Sequence, residues 1–248
     1  MGTTNAARAT YLCQMDGKLR LHYAPDNASL IVRLALEELQ LPYETVLVDR
    51  AKDAQNSASY LAINPAGLIP AMETPDGPLF ETAAILLWVC ETQDALGPQP
   101  GHPERGAFLK WMFYVSNTAH TNLRLNFYAE KYVGSDRDKQ VALRKGARQN
   151  LTRSFNLLDE LLREGHDWFG GDHVGALDLY ICAMLRWSAL YPQGDTQWFD
   201  LQAFPDLQGL AQRIEVRDSV LALCKAEGMA PRPFSKPDYP NPPEGVAI

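Results

Sequence analysis

The stretch Asn64 to Val89 reads NPAGLIPAMETPDGPLFETAAILLWV, and its punctuation sets the architecture. Pro75-Asp76-Gly77 is a turn signal, because Pro fixes φ early in the turn and Gly accepts the positive φ that closes it. It separates two short runs, Pro70 to Thr74 and Pro78 to Phe80, which predicts a pair of antiparallel strands. A helix is expected to begin near Glu81 or Thr82, with Ile85, Trp88 and Val89 on its inward face.

Upstream, apolar residues alternate from Leu19 to Tyr23, the mark of a short strand. From Ser29 to Leu39 the spacing turns helical, with Leu30, Leu34 and Ala35 on one face, and Tyr43 to Asp49 is β-branched and apolar, a second strand. Strand, helix and strand in so short a span form a parallel βαβ unit with a right-handed crossover. With the antiparallel hairpin and its helix, this makes one α/β layer over residues 18–95. Residues 94–106, DALGPQPGHPERG, hold three Pro and three Gly, so 96–106 reads as a linker. Residues 107–228 read as an all-α bundle, with helices expected over about 104–133, 137–164, 176–190, 206–214 and 216–227. The last twenty residues carry six prolines, so 229–248 is predicted as a Pro-rich tail, either an extended strap or a disordered end.

Composition narrows the function. A net charge of −7 without a basic stripe speaks against nucleic acid and anionic membranes as partners. Cys13, Cys90, Cys182 and Cys224 lie far apart, which predicts buried thiols in a reducing compartment rather than a disulfide framework. The first residues lack an apolar core of about 7 to 15 residues, and no stretch approaches a membrane span, so a cytoplasmic protein is expected. His22, His102, His120, His166 and His173 show no pairing at metal-ligand spacing, so no metal is expected. No Gly-rich phosphate loop follows the first strand.

The Asn64–Val89 segment resembles the glutathione transferase family, whose Asn-Pro-x-Gly, hydrophobic-Pro and Glu-Ser/Thr-x-x-Ile signals stand here in the same order and spacing. The similarity covers about residues 19–228. It implies a thioredoxin-like N-terminal domain followed by a helical-bundle domain, glutathione as co-substrate, a small hydrophobic electrophile as second substrate, and a homodimer. It also implies that Pro70 is cis and that the main chain of Ile69 holds the cysteinyl part of glutathione. Thr82, with its backbone N–H, would hold the γ-glutamyl carboxylate and Glu81 the ammonium. Both also suit ordinary capping of a helix N-terminus, where an anion is favoured. GGDHVGALDLYICAML resembles the family's bundle-core motif, with Gly175 where Ser or Thr is usual and Asp178 placed to reach back to the Gly175 N–H. His120 follows Trp111 by nine residues, as in the cysteine-type class, which implies that it faces the site from the second domain, and Asn117, Thr121 and Arg124, at helical spacing around it, are expected to line the same substrate-binding cleft. Phe113 stands where that class has a polar glutathione contact.

Such an enzyme must hold glutathione as thiolate. A free thiol has a pKa near ~8.5, and lowering it by about two units takes roughly 2.7 kcal/mol. One hydrogen-bond donor to the charged sulfur, worth ~1.5–3 kcal/mol, together with a helix N-terminus, is enough. Aligned back from Pro42, the class cysteine falls on Ala28 and the class serine on Asp26, so neither usual residue is present. The candidates are therefore Ser29 first, Asn27 second and Tyr23 at the strand end. Each also has a plain structural reading, as first helical residue, N-cap and packed aromatic respectively. The missing cysteine argues against disulfide exchange. Two alternatives stay open: a non-catalytic glutathione- or ligand-binding protein, because a carboxylate such as Asp26 close to sulfur disfavours a thiolate, and a glutathione-dependent isomerase or dehalogenase.

Overall fold

The computed structural model describes residues 18–247. Cys13 and the N-terminal segment read above for a signal lie outside the described residues. Four strands, β1 (Leu19–Tyr23), β2 (Tyr43–Leu47), β3 (Ala71–Thr74) and β4 (Gly77–Phe80), form one sheet in the order β2-β1-β3-β4. β1 and β2 run parallel, and β3 runs antiparallel to both β1 and β4. This is a thioredoxin-like mixed sheet. Leu21 on β1 stands opposite Met72 on β3, and both are fully buried.

Helix α1 (Ser29–Glu38) connects β1 to β2, and every residue from Ser29 to Leu36 is buried. A helix covered all round must be packed on two sides. Its partners include α3 (Thr82–Gln93) and two helices of the second half, α8 (Ala176–Leu190) and α10 (Asp218–Glu227). The short α2 (Ala58–Leu61) lies between α1 and α3 in sequence. The rest of the chain is helical: α4 (Arg105–Tyr114), α5 (His120–Phe127), α6 (Ala129–Val133), α7 (Arg137–Leu162) and α9 (Pro205–Ile214) join α8 and α10. The sequence predicts one helix over 104–133, and the structure divides it. Val115–Ala119 is a π-helical turn that carries the chain from α4 into α5, and Tyr128 leaves helical geometry before α6. Both interruptions border the cavity described below, as π-bulges often do.

α8 begins at Gly175, where the usual hydroxyl cap is absent. A Cβ there would collide with the carbonyl oxygen of Trp168, so close approach of the backbone demands glycine. Asp178 supplies the cap, accepting from Gly175 N–H and Gly170 N–H at 2.8 Å each.

The two halves are joined by buried charge. Asp26 sits in the turn after β1 at φ +50°, a conformation that Asp tolerates better than most residues. Its carboxylate takes a bidentate grip from Arg186 of α8 at 2.8 and 2.9 Å, and accepts from Trp187 Nε1 at 2.9 Å and the Tyr191 hydroxyl at 2.7 Å. Asp26 and Arg186 are both 0% exposed. The Asp26 N–H donates to Glu227 of α10, which also receives Arg33 Nε of α1 at 3.0 Å. Burial pushes the Glu227 carboxyl up to about 7, against the pull of Arg33.

The Pro-rich tail is a strap. Phe234 is buried, Ser235 donates to Glu215 through both its N–H and its hydroxyl, and Tyr239 donates to the Leu190 carbonyl. Arg186 also donates to the carbonyls of Pro233 and Asp238 at 3.2 Å, so the buried guanidinium is satisfied partly by the tail. Asn241 N–H closes on the Gly228 carbonyl, and Glu244 accepts from the Tyr23 hydroxyl.

Two stability outcomes follow. Asp26→Ala strands Arg186 in the interior, and chemical denaturation should show a loss of ~3–5 kcal/mol, whereas a loss below ~1 kcal/mol would show that the pair is dispensable. Gly228→Ala places a Cβ at φ +65° against the Asn241 carbonyl. It should lower stability by more than ~1 kcal/mol in the same assay.

Candidate functional site

A cavity of about 380 Å³ opens between the sheet and the helical half, a size suited to a small ligand. Its sheet-side wall is built at the ends of three elements. The turn before α1 contributes Asn27 and Ala28, the segment before β3 contributes Ile69 and Pro70, and the start of α3 contributes Glu81 and Thr82. The helical wall includes His120, Arg124, Tyr128 and Trp187.

The Ile69–Pro70 peptide bond is cis. The neighbouring Leu68 carbonyl is occupied by the Tyr60 hydroxyl and Asn64 Nδ2, both at 2.6 Å, whereas the N–H and C=O of Ile69 pair with no described backbone group. An unpaired backbone donor and acceptor side by side on a cavity wall can receive an extended peptide as a strand would. Glu81 stands at φ +73° ahead of α3, a conformation that costs about 1–3 kcal/mol outside glycine, and its side chain caps nothing. Glu81 and the nearly buried Thr82 bring the start of α3 to the cavity wall, a setting for an anion beside a carboxylate that can take a cation.

The turn before α1 answers the question of the donor differently from the sequence ranking. Ser29 is fully buried and outside the cavity lining. Its hydroxyl donates to the Ala24 carbonyl at 3.0 Å and accepts the Ala24 N–H at 3.3 Å, so it closes the turn on itself. Tyr23 is a packed strand-end aromatic, its ring under Arg33 and its hydroxyl on Glu244, and burial, then the Glu244 carboxylate, push its phenol well above the ordinary value. Asn117 is exposed on the π-helical turn and away from the cavity lining. Asn27 does face the cavity. Its Oδ1 accepts the Ala28 N–H at 2.8 Å, which fixes the amide orientation and leaves Nδ2 as a donor with no partner among the described residues. Ala28, at the class cysteine position, presents only a methyl group. Asp26, at the class serine position, is turned into the core and held by Arg186, so its charge is compensated away from any sulfur.

His120 bonds through Nδ1 to the Tyr180 hydroxyl at 2.9 Å and stacks on Trp187 at 5.6 Å between ring centroids. Burial, and then the Arg124 charge, push its imidazole down to about 4. It is therefore neutral at pH 7 and offers the cavity a neutral ring, not a cation. Trp187 thus touches both His120 and Asp26, linking the helical wall to the turn. Arg50, Tyr128, Lys131 and Trp187 escaped the sequence reading. Arg50 had a signal: it follows β2 at the carboxyl end of a parallel strand pair, where α/β sheets place ligands.

The described cysteines lie away from this cavity, and burial raises the thiols of Cys90 to about 12 and Cys224 to about 11. Among the described residues no group of His, Cys, Asp and Glu is arranged to hold a metal ion, and no helix is long and apolar enough to cross a membrane.

Comparison with known proteins agrees with this arrangement. The model of the glutathione S-transferase N-terminal domain matches residues 28–92. Glutathione S-transferase GST-4.5 of Xanthomonas campestris is 29% identical over 214 residues, spanning 85% of this chain and all of that protein. Glutathione S-transferase GstB of Escherichia coli is 31% identical over 160 residues, 62% of this chain and 74% of that protein. A glutathione transferase homologue from Sulfitobacter, solved with bound glutathione, superposes with a TM-score of 0.70 at 26% identity, covering 84% of this chain and 97% of that one. The chain belongs to the glutathione S-transferase family.

Proposed function

We propose that this protein is a glutathione transferase that binds glutathione in the cavity, holds its thiol as thiolate and adds it to a small electrophile held against the helical wall. The observation that carries the reading is the juxtaposition of the unpaired Ile69 backbone with the Glu81–Thr82 helix start. A cysteinyl main chain pairs with Ile69, the γ-glutamyl carboxylate meets Thr82 and the α3 N-terminus, and its ammonium meets Glu81. The glutathione-bound Sulfitobacter relative supports the same reading. The homodimer that the resemblance implies belongs to this reading, and native mass measurement decides it.

Asn27 is the thiol's donor in this scheme. Its Nδ2 hydrogen-bonds the sulfur, and a charge-assisted bond of ~1.5–3 kcal/mol with the α1 N-terminus lowers the thiol pKa by about one to two units. The proton leaves to solvent. The sulfur lone pair then forms a bond to the electrophilic carbon while the displaced pair departs on the leaving group or moves into a conjugated system. No protein-bound covalent intermediate is needed, since only the methyl of Ala28 faces the sulfur from the class cysteine position.

Titration of thiolate absorbance with glutathione bound tests this. The wild-type thiol should ionise about two units below free glutathione, and Asn27→Ala should raise it by about one unit or more, with kcat falling at neutral pH. Ser29→Ala should act on stability, by roughly 1–2 kcal/mol through its two lost hydrogen bonds. A wild-type thiol with its free pKa would favour a non-catalytic binding protein.

His120 supplies a separate pH outcome. Its folded pKa lies below the ordinary imidazole value, so the unfolded chain takes up this proton first. His120 therefore weakens the fold as pH falls from about 6.5 to about 4 and has no such effect above that window. Imidazole resonances should show it neutral down to about pH 5, and the pH–rate profile should carry no limb from it between about pH 5 and 8.

A further inference from the structure

The cavity wall carries more positive charge than glutathione can use. Arg50, Arg124 and Lys131 line it, and Glu81 is its one carboxylate among the described residues. None of the three cations has a carboxylate within ion-pairing distance among the described residues. Tyrosines stand beside them instead: Arg124 Nε donates to the Tyr132 hydroxyl at 2.9 Å, and all three lie around Tyr128. Arg50 donates to the Tyr128 hydroxyl at 3.3 Å, the Lys131 ammonium lies 4.5 Å from the Tyr128 ring centroid, and the Arg124 guanidinium carbon lies 5.9 Å from it. Three cations without counter-charges, in a chain whose net charge is −7, mark a place prepared for anions.

The charges can be assigned one by one. Glutathione has two carboxylates and one ammonium. Glu81 answers the ammonium, and the α3 N-terminus with Thr82 answers the γ-glutamyl carboxylate. The glycyl carboxylate takes Arg50, the cation on the sheet side. Arg124 on α5 and Lys131 on α6 remain, both on the helical wall, where the electrophile is held. The neutral His120 adds no charge to theirs. Phe127 and Tyr128, on the same wall, offer apolar ring surface.

We propose that the second substrate is an aromatic or conjugated electrophile bearing a carboxylate, with Arg124 and Lys131 holding that carboxylate and Phe127 and Tyr128 the flat frame. This rests on the glutathione reading above and replaces a purely hydrophobic electrophile with an anionic one. For an aryl halide, the glutathione sulfur bonds to the ring carbon and chloride leaves with the bonding pair.

The test compares 4-chloro-3-nitrobenzoate with its methyl ester, each rate normalised to its uncatalysed reaction with glutathione, alongside calorimetry of glutathione binding. In the wild type the acid should exceed the ester by about tenfold or more in kcat/KM. In the Arg124→Gln/Lys131→Gln variant that ratio should fall toward one, mainly through a raised KM for the acid. Both side chains are at least partly exposed, so the variant should keep its fold. A wild-type ratio of one or less, with one glutathione bound per chain, overturns this inference and leaves the glutathione reading standing. So does binding of two glutathione molecules per chain, with the second lost in the variant, because the cations then serve a second peptide. Absence of glutathione binding overturns both readings.

Discussion

The carboxylate of Asp26 and the guanidinium of Arg186 meet where no water reaches, 160 residues apart in the chain. Moving either group out of water costs several kcal/mol, and their attraction repays it only when every remaining donor and acceptor is met. Here Asp26 meets that condition in full and Arg186 through four of its five N–H groups. Asp26 accepts four hydrogen bonds, and Arg186 divides its donors between Asp26 and two tail carbonyls. The consequence is geometric: with Asp26 fixed at positive φ, Ala28 and Asn27 are fixed toward the cavity. The same pair brings Trp187 into contact with both the turn and His120, so both walls share one reference point.

This arrangement moves the burden of chemistry away from the protein's own nucleophiles. The described cysteines are buried with raised thiol pKa values, Ser29 is consumed by the Ala24 backbone, and Tyr23 is tied to the tail. What the cavity offers is donors, a helix terminus, unpaired backbone and charge. Such equipment suits the binding role of the glutathione reading proposed above rather than attack by the protein's own nucleophile.

Much of this was legible in the sequence wherever the cause is local. The turn at Pro75-Asp76-Gly77, the start of α3 and the span of α8 follow from turn chemistry and periodicity within a few residues. Ile69, Pro70, Glu81 and Thr82 were found through a motif whose spacing is short. The reading failed where the cause is distant. Nothing near Asp26 announces that Arg186 will hold it, so its charge looked like an obstacle to a thiolate. Ser29 and Asn27 are neighbours of similar polarity, and only the fold decides that one closes the turn and the other faces the cavity. The π-helical turn at Val115–Ala119 has the same apolar spacing as the helix around it, which hid the break before His120.

The tail has a consequence for how the molecule comes into being. Its Pro233 and Asp238 carbonyls receive Arg186, and Glu244 contacts Tyr23 across 221 residues. During synthesis the first strand and its turn emerge long before the groups that neutralise and cover them. Loop closure over such separations is slow, and unpaired buried charge resists compaction until its partner arrives. The turn after β1 therefore gains its last contacts only once residues 233–244 are made. Setting of the turn is coupled to the arrival of residues 233–244, so a nascent chain that stops before them lacks these contacts.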